Sequence, residues 1–214
     1  MKRLLFSTLL LITASAYAQS ERYEKAMMQN ISKLDSANAK GADAFTPLAD
    51  NFTRIGDAEK TQWLPYYYAS YASVMSALMM EDKSKVDIIA DKADALLKKA
   101  ETLAGKENSE TCVIRSMIAS AHMMVDPQSR YMQYGAVSAS NLEKAKAMDP
   151  TNPRPVYLEG QSKFYTPEQF GGGKTAAKEM FKKALSMFST FKPATNLSPK
   201  WGEASTKYFL TQAN

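Results

Sequence analysis

The chain has 214 residues, 45% of them hydrophobic and 23% charged, with a formal net charge of +5 at neutral pH. That length suffices for one sizeable core, and an excess of charge this small, interleaved with acids, gives no footing for a nucleic-acid surface. A single cysteine, Cys112, and a single histidine, His122, exclude an intrachain disulfide, a Cys/His zinc site and a catalytic triad, and leave little prospect of a haem.

Met1-Lys2-Arg3, the apolar LLFSTLLLIT of residues 4–13 and the Ala16-Tyr17-Ala18 triplet before Gln19 read as a signal peptide over 1–18. The apolar run falls short of the roughly 20 residues that span a bilayer, and small side chains stand where signal peptidase needs them. No Cys follows the cleavage position, which disfavours a lipoprotein. Cleavage before Gln19 leaves 214 − 18 = 196 residues, one domain over 19–214, with formal charge 5 − 2 = +3. No later stretch reaches the roughly 18 apolar residues of a membrane helix, so no stable insertion is expected after cleavage. The expected compartment is periplasmic or secreted.

Beyond the leader, apolar residues recur at three and four rather than two, and an all-α chain follows. Helices are predicted over 21–37, 42–55, 61–80, 85–104, 109–126, 130–148, 153–166, 173–191 and 199–211. The stop signals between them are Gly41, Gly56, Gly105, Asp126-Pro127, Asp149-Pro150-Thr151-Asn152-Pro153 and Pro193.

The helix over 61–80 carries the densest aromatic cluster: Trp63, Tyr66, Tyr67, Tyr68 and Tyr71. At about 100° per residue Trp63, Tyr67 and Tyr71 share one face while Leu64, Tyr68 and Met75 share the next, wider than one buried stripe. Packing into the core is the plain reading. The functional one is that Trp63, Tyr67, Tyr68 and Tyr71 line a groove for a peptide or glycan. Glu81-Asp82 and Glu107/Glu110 read as solvated helix ends rather than catalytic pairs. Cys112, in TCVIRSMIASAHMM, reads as a buried, inert thiol. The pairs Met27-Met28, Met79-Met80 and Met123-Met124 diverge by about 100° and cannot chelate one ion together, so the methionines are assigned to core filling.

Gly171-Gly172-Gly173-Lys174-Thr175 imitates the end of a nucleotide-phosphate loop. The first glycine of such a loop would fall at position 168, which is Glu168, and the segment before it is helical rather than a strand. TPEQFGGGK therefore reads as a loop inserted in a helix hairpin, with glycine amides free for at most weak anion binding. Trp201-Gly202 is expected to cap the last exposed face.

Aligning on alanines yields Ala93-x3-Leu97-x2-Ala100, Ser138-x3-Leu142-x2-Ala145 and Ala177-x3-Phe181-x2-Ala184, with alanines 100, 145 and 184 spaced by 45 and 39 residues. Small, large, small at this spacing lets a neighbouring helix approach closely. The pattern resembles the second helix of a tetratricopeptide repeat, and Ala145 with Pro150 reproduces that family's offset to proline. Gly160 stands where the first helix of such a repeat has a small residue. The spacing exceeds the family's period of about 34 residues, so longer helices or loops are implied. AEKTQWLPYYYASY, NPRPVYLEGQ, FGGGKTAAKEMFKKAL and SPKWGE resemble stretches of short exported tetratricopeptide-like proteins of Bacteroidetes type, a group with no established activity. The resemblance implies a stack of antiparallel helix hairpins, a TPR-like α-solenoid with a concave face.

The expected function is an exported interaction or scaffold module for a peptide or envelope protein, with no catalytic residue, cofactor or metal and no nucleic-acid partner. The alternative is a small-molecule binder or accessory enzyme that uses the aromatic cluster and the glycine loop as its pocket.

Overall fold

A computed structural model describes residues 21–214, and the expected leader over 1–18 lies outside the described residues. Among them all regular structure is helical, without a strand: α1 (21–31), α2 (Leu34–Lys40), α3 (Thr46–Glu59), α4 (Leu64–Met79), α5 (Val86–Ala104), α6 (Ser109–Val125), α7 (Pro127–Arg130), α8 (Ala136–Met148), α9 (Pro153–Tyr165), α10 (Lys174–Thr190) and α11 (Glu203–Gln212). A π-helical turn, Tyr131–Gly135, joins α7 to α8. No described helix is long and apolar enough to cross a membrane.

The helix starts follow local chemistry. Asn108 and Thr111 form a reciprocal capping box at α6, the Asn108 carboxamide accepting from Thr111 N–H at 3.1 Å and Thr111 Oγ1 accepting from Asn108 N–H at 3.0 Å. Asn152 caps α9 by accepting from Arg154 N–H at 3.1 Å. Prolines occupy the first turns of α3, α4, α7 and α9, where a missing N–H has no consequence.

Three boundaries depart from expectation. The first predicted helix breaks at residues 32–33 into α1 and α2. Gly56 does not stop α3, which runs on to Glu59 and is closed by Lys60 in the left-handed region, φ 56°. Gly56 serves instead as a close-approach point, because a Cβ there would lie 2.9 Å from the Tyr66 ring. The last helix starts at Glu203 rather than 199, because Pro199 through Gly202, with φ 112° at Gly202, belong to an irregular segment.

Consecutive helices pack on one another: α4 against α3 and α5, α6 against α5 and α8, α9 against α10, and α11 against α10, with α4 also touching α6. The alanine-anchored positions lie at these contacts. Ala93, Leu97, Ala100, Leu142, Ala145, Ala177, Phe181 and Ala184 are all buried. Ser138 is half-buried and hydrogen-bonded to Ser116 and Ser120 at 2.8 and 3.1 Å. Gly160 lets α9 and α10 close up, since a Cβ would come within 2.6 Å of the Phe181 ring.

Candidate functional site

The aromatic cluster of α4 is core. Tyr67 and Tyr68 are 0% exposed and Tyr71 7%, while Trp63 is half-buried with its ring edge-on to Tyr67 at 5.7 Å. The groove expected from Trp63, Tyr67, Tyr68 and Tyr71 is thus not an open surface, because the neighbours of α4 cover both of its aromatic faces.

These rings enclose a polar network. The Arg154 guanidinium, fully buried, donates to Glu110 Oε1 at 2.9 Å, to Asn152 Oδ1 at 3.2 Å and to the Pro199 carbonyl. Tyr67 donates to Glu110 Oε2 at 2.9 Å and accepts from Trp201 Nε1 at 2.9 Å, and Trp201 stacks on Tyr71 with centroids 4.5 Å apart. Burial pushes the Glu110 carboxyl upward against the opposing pull of Arg154. Two expectations fail here. Glu110 is not a solvated helix end, and Trp201 is wedged against α4 and beneath Arg154, at 5.3 Å, rather than capping a terminal face. Stretches that stood apart in sequence, around 63–71, 152–161 and 198–203, meet at this point.

The two groups best suited to metal ligation are both engaged. His122 Nδ1 lies 2.7 Å from Asp87 Oδ1 and Nε2 lies 3.5 Å from Asp91, and the ring stacks on Tyr134 at 5.0 Å. Arg130 clamps the same Asp87 with bonds of 2.7 and 2.9 Å and holds its carboxyl at about 2, well below the ordinary range. Cys112 is buried as expected, and burial pushes its thiol up to about 12.

The glycine loop is closed as well. The N–H groups of Gly171, Gly172 and Gly173 donate to the Glu168, Pro167 and Thr166 carbonyls at 2.9, 3.2 and 2.8 Å, the last also reaching Lys163 O at 2.9 Å. The amides expected to be free for an anion are therefore occupied. Lys163 Nζ in turn holds the Gly171 carbonyl at 2.8 Å.

What this loop and its flanking helices do expose is aromatic. Tyr165 at the end of α9 is 72% exposed, Phe170 in the loop 71% and Tyr208 on α11 59%. Behind Tyr165 and Tyr208, Phe209 is a hub, with ring centroids 6.1 Å from Tyr165, 5.5 Å from Tyr208, 5.6 Å from Phe164 and, stacked, 5.6 Å from the buried Phe181. Burial, and then the nearby Tyr208, raise the Tyr165 phenol. Large rings held outward on an aromatic base form a surface suited to a flat apolar ligand.

Sequence reasoning passed over this surface, although a signal was present. Phe164-Tyr165 and Tyr208-Phe209 are adjacent aromatic pairs on helices, and neighbours about 100° apart cannot both enter one narrow stripe. In each pair one ring goes in and the other stays out.

A solved structure resolves the kinship. The HusA haemophore from Porphyromonas gingivalis is 35% identical, with a TM-score of 0.77, over 89% of this chain and 92% of that one. The chain belongs to the HusA haemophore family. The likeness to HusA spans nearly the whole of both chains. No protein-family model matches the chain, and no curated protein does.

Proposed function

We propose that this protein is an exported, non-catalytic carrier that binds haem on the surface of Tyr165, Phe170 and Tyr208. Kinship with a haemophore supplies the ligand class, and the observation that carries the placement is the pair of outward rings, Tyr165 and Tyr208, on the Phe209 hub, with Phe170 exposed in the loop that follows α9. A tetrapyrrole is a flat apolar disc, and aromatic faces bury it with little loss of side-chain freedom.

In this reading the iron takes no ligand from His122 or Cys112. The imidazole is flanked by two carboxylates and the thiol is buried and protonated, so neither reaches a metal without breaking its present contacts. Recruiting haem through contacts to its faces also reconciles the family with a chain that has one histidine.

The helix order fits TPR-like hairpins α4–α5, α6–α8 and α9–α10 closed by α11, within one domain over 19–214 behind a signal peptide at 1–18. A carrier must release its cargo, so an envelope protein that receives it is the partner this reading expects. Absorption titration with haem tests the binding mode. His122→Ala should bind with the affinity and Soret position of the parent, whereas loss of binding in that variant would assign the iron to the imidazole.

A further inference from the structure

The two exposed tyrosines on the Phe209 hub belong to different helices, Tyr165 to the last turn of α9 and Tyr208 to the second turn of α11. Those helices also start at one place. Arg154 stands in the first turn of α9, and Trp201 lies two residues ahead of α11. The Arg154 guanidinium donates to the Pro199 carbonyl and sits over the Trp201 ring at 5.3 Å. Both helices therefore leave a single buried node, and about three turns along α9 and two turns on from Trp201 their rings meet again at Phe209.

Residues 191–202, which join α10 to α11, contain no helix, so no backbone ladder sets their path. They are held from outside instead. The Leu197 carbonyl accepts from Tyr68 at 2.8 Å, Trp201 Nε1 donates to Tyr67 at 2.9 Å, and the Trp201 ring stacks on Tyr71 at 4.5 Å, all three partners lying on α4. Gly202 then opens α11 with φ 112°, where a Cβ would lie 2.8 Å from the Phe188 ring of α10. Its carbonyl accepts from the fully buried Thr206, from N–H at 2.8 Å and from Oγ1 at 2.7 Å. Farther on, α11 reaches α9 through rings, with Phe209 at 6.4, 5.6 and 6.1 Å from Tyr157, Phe164 and Tyr165. Ring contacts accept several geometries and directed hydrogen bonds few, so the course of α11 is set at its start.

We infer that the Arg154–Trp201–Gly202 node positions the haem surface: by fixing the starts of α9 and α11 against each other and against α4, it brings Tyr165 and Tyr208 together on Phe209 to face one flat ligand. Trp201 and Gly202 are positioning residues that touch no haem. This rests on the carrier reading and adds a second task to the inner network, which serves the binding surface as well as the fold.

The test compares three variants with the parent, at a temperature where each is folded. Trp201→Phe keeps a ring on Tyr71 but loses the N–H given to Tyr67, and Gly202→Ala forces a methyl against Phe188 at a positive φ. Gly56→Ala is the control, overpacking α3 against Tyr66, away from α9 and α11. Haem titration should show Trp201→Phe and Gly202→Ala weakened about three- to tenfold, as for one lost ring contact, with an altered Soret circular dichroism of the bound haem. Their Tyr165 and Tyr208 ring-proton shifts, read without haem, should move too. Gly56→Ala should melt lower yet bind and report like the parent. Parental affinity in Trp201→Phe or in Gly202→Ala, or a Gly56→Ala weakened as much as they are, would overturn the inference and leave the carrier reading standing. A parent that takes up no haem would remove the carrier reading and this inference with it.

Discussion

Two aromatic regions of this protein have opposite fates. Around Tyr67, Tyr68 and Tyr71 the rings are crowded in sequence and sealed inside against Trp201, with Arg154 and Glu110 among them. At Tyr165, Phe170 and Tyr208 they are scattered in sequence and face out. Density along the chain therefore says little about accessibility. A helix packed on several neighbours can bury rings all round, as α4 does between α3, α5 and α6, whereas α11 has one principal neighbour, α10, and leaves a side open.

The largest effect should come from breaking the inner region. Arg154→Ala leaves Glu110 buried without its cation and should cost about 3–5 kcal/mol in denaturant unfolding. Replacing both members with apolar residues of similar size should recover much of that loss. If Arg154→Ala unfolds like the parent, the network is ornamental and the contrast between the regions weakens.

The next effect lies beneath the outer region, at Phe181. Phe181→Ala should cost about 3–5 kcal/mol through the cavity it leaves beneath Phe209. Gly160→Ala should cost about 1–3 kcal/mol, because its methyl meets the same ring. Thermal melts of the pair check both, and a silent Gly160→Ala would mean that α9 and α10 slide apart easily.

Much of this was legible beforehand. The helical class, most boundaries and the buried alanine-anchored positions follow from periodicity and stop signals, which are local. The Arg154 network was not, since Glu110 and Arg154 are 44 residues apart and only the fold brings them together. Gly56 misled for the same reason: its role is set by the Tyr66 ring and not by its own neighbours in sequence. The outer surface was hidden because one exposed ring in an adjacent pair leaves no periodic mark.

A smaller effect is expected from acid. Asp87 has a folded-state value of about 2, set first by its bond to Arg130, against roughly 3.9 unfolded. A depressed carboxylate contributes stability fully above the unfolded value, and this is lost as pH falls from about 4 toward 2. The loss should be modest, because the Asp87 side chain is 37% exposed. Melting temperature followed over that window should fall less steeply in Asp87→Asn than in the parent, and parallel curves would show that the clamp adds nothing.

The central claim is that the outer rings bind while the inner ones hold the fold. It is tested most directly by titrating haem into the parent and into a Tyr165→Ser, Phe170→Ser, Tyr208→Ser triple variant, with melting measured alongside. Two or three lost aromatic contacts at about 0.5–1.5 kcal/mol each should weaken binding by about tenfold or more. Each exposed substitution should move stability by less than about 0.5 kcal/mol. An affinity unchanged in the triple variant, with the fold intact, would contradict the account.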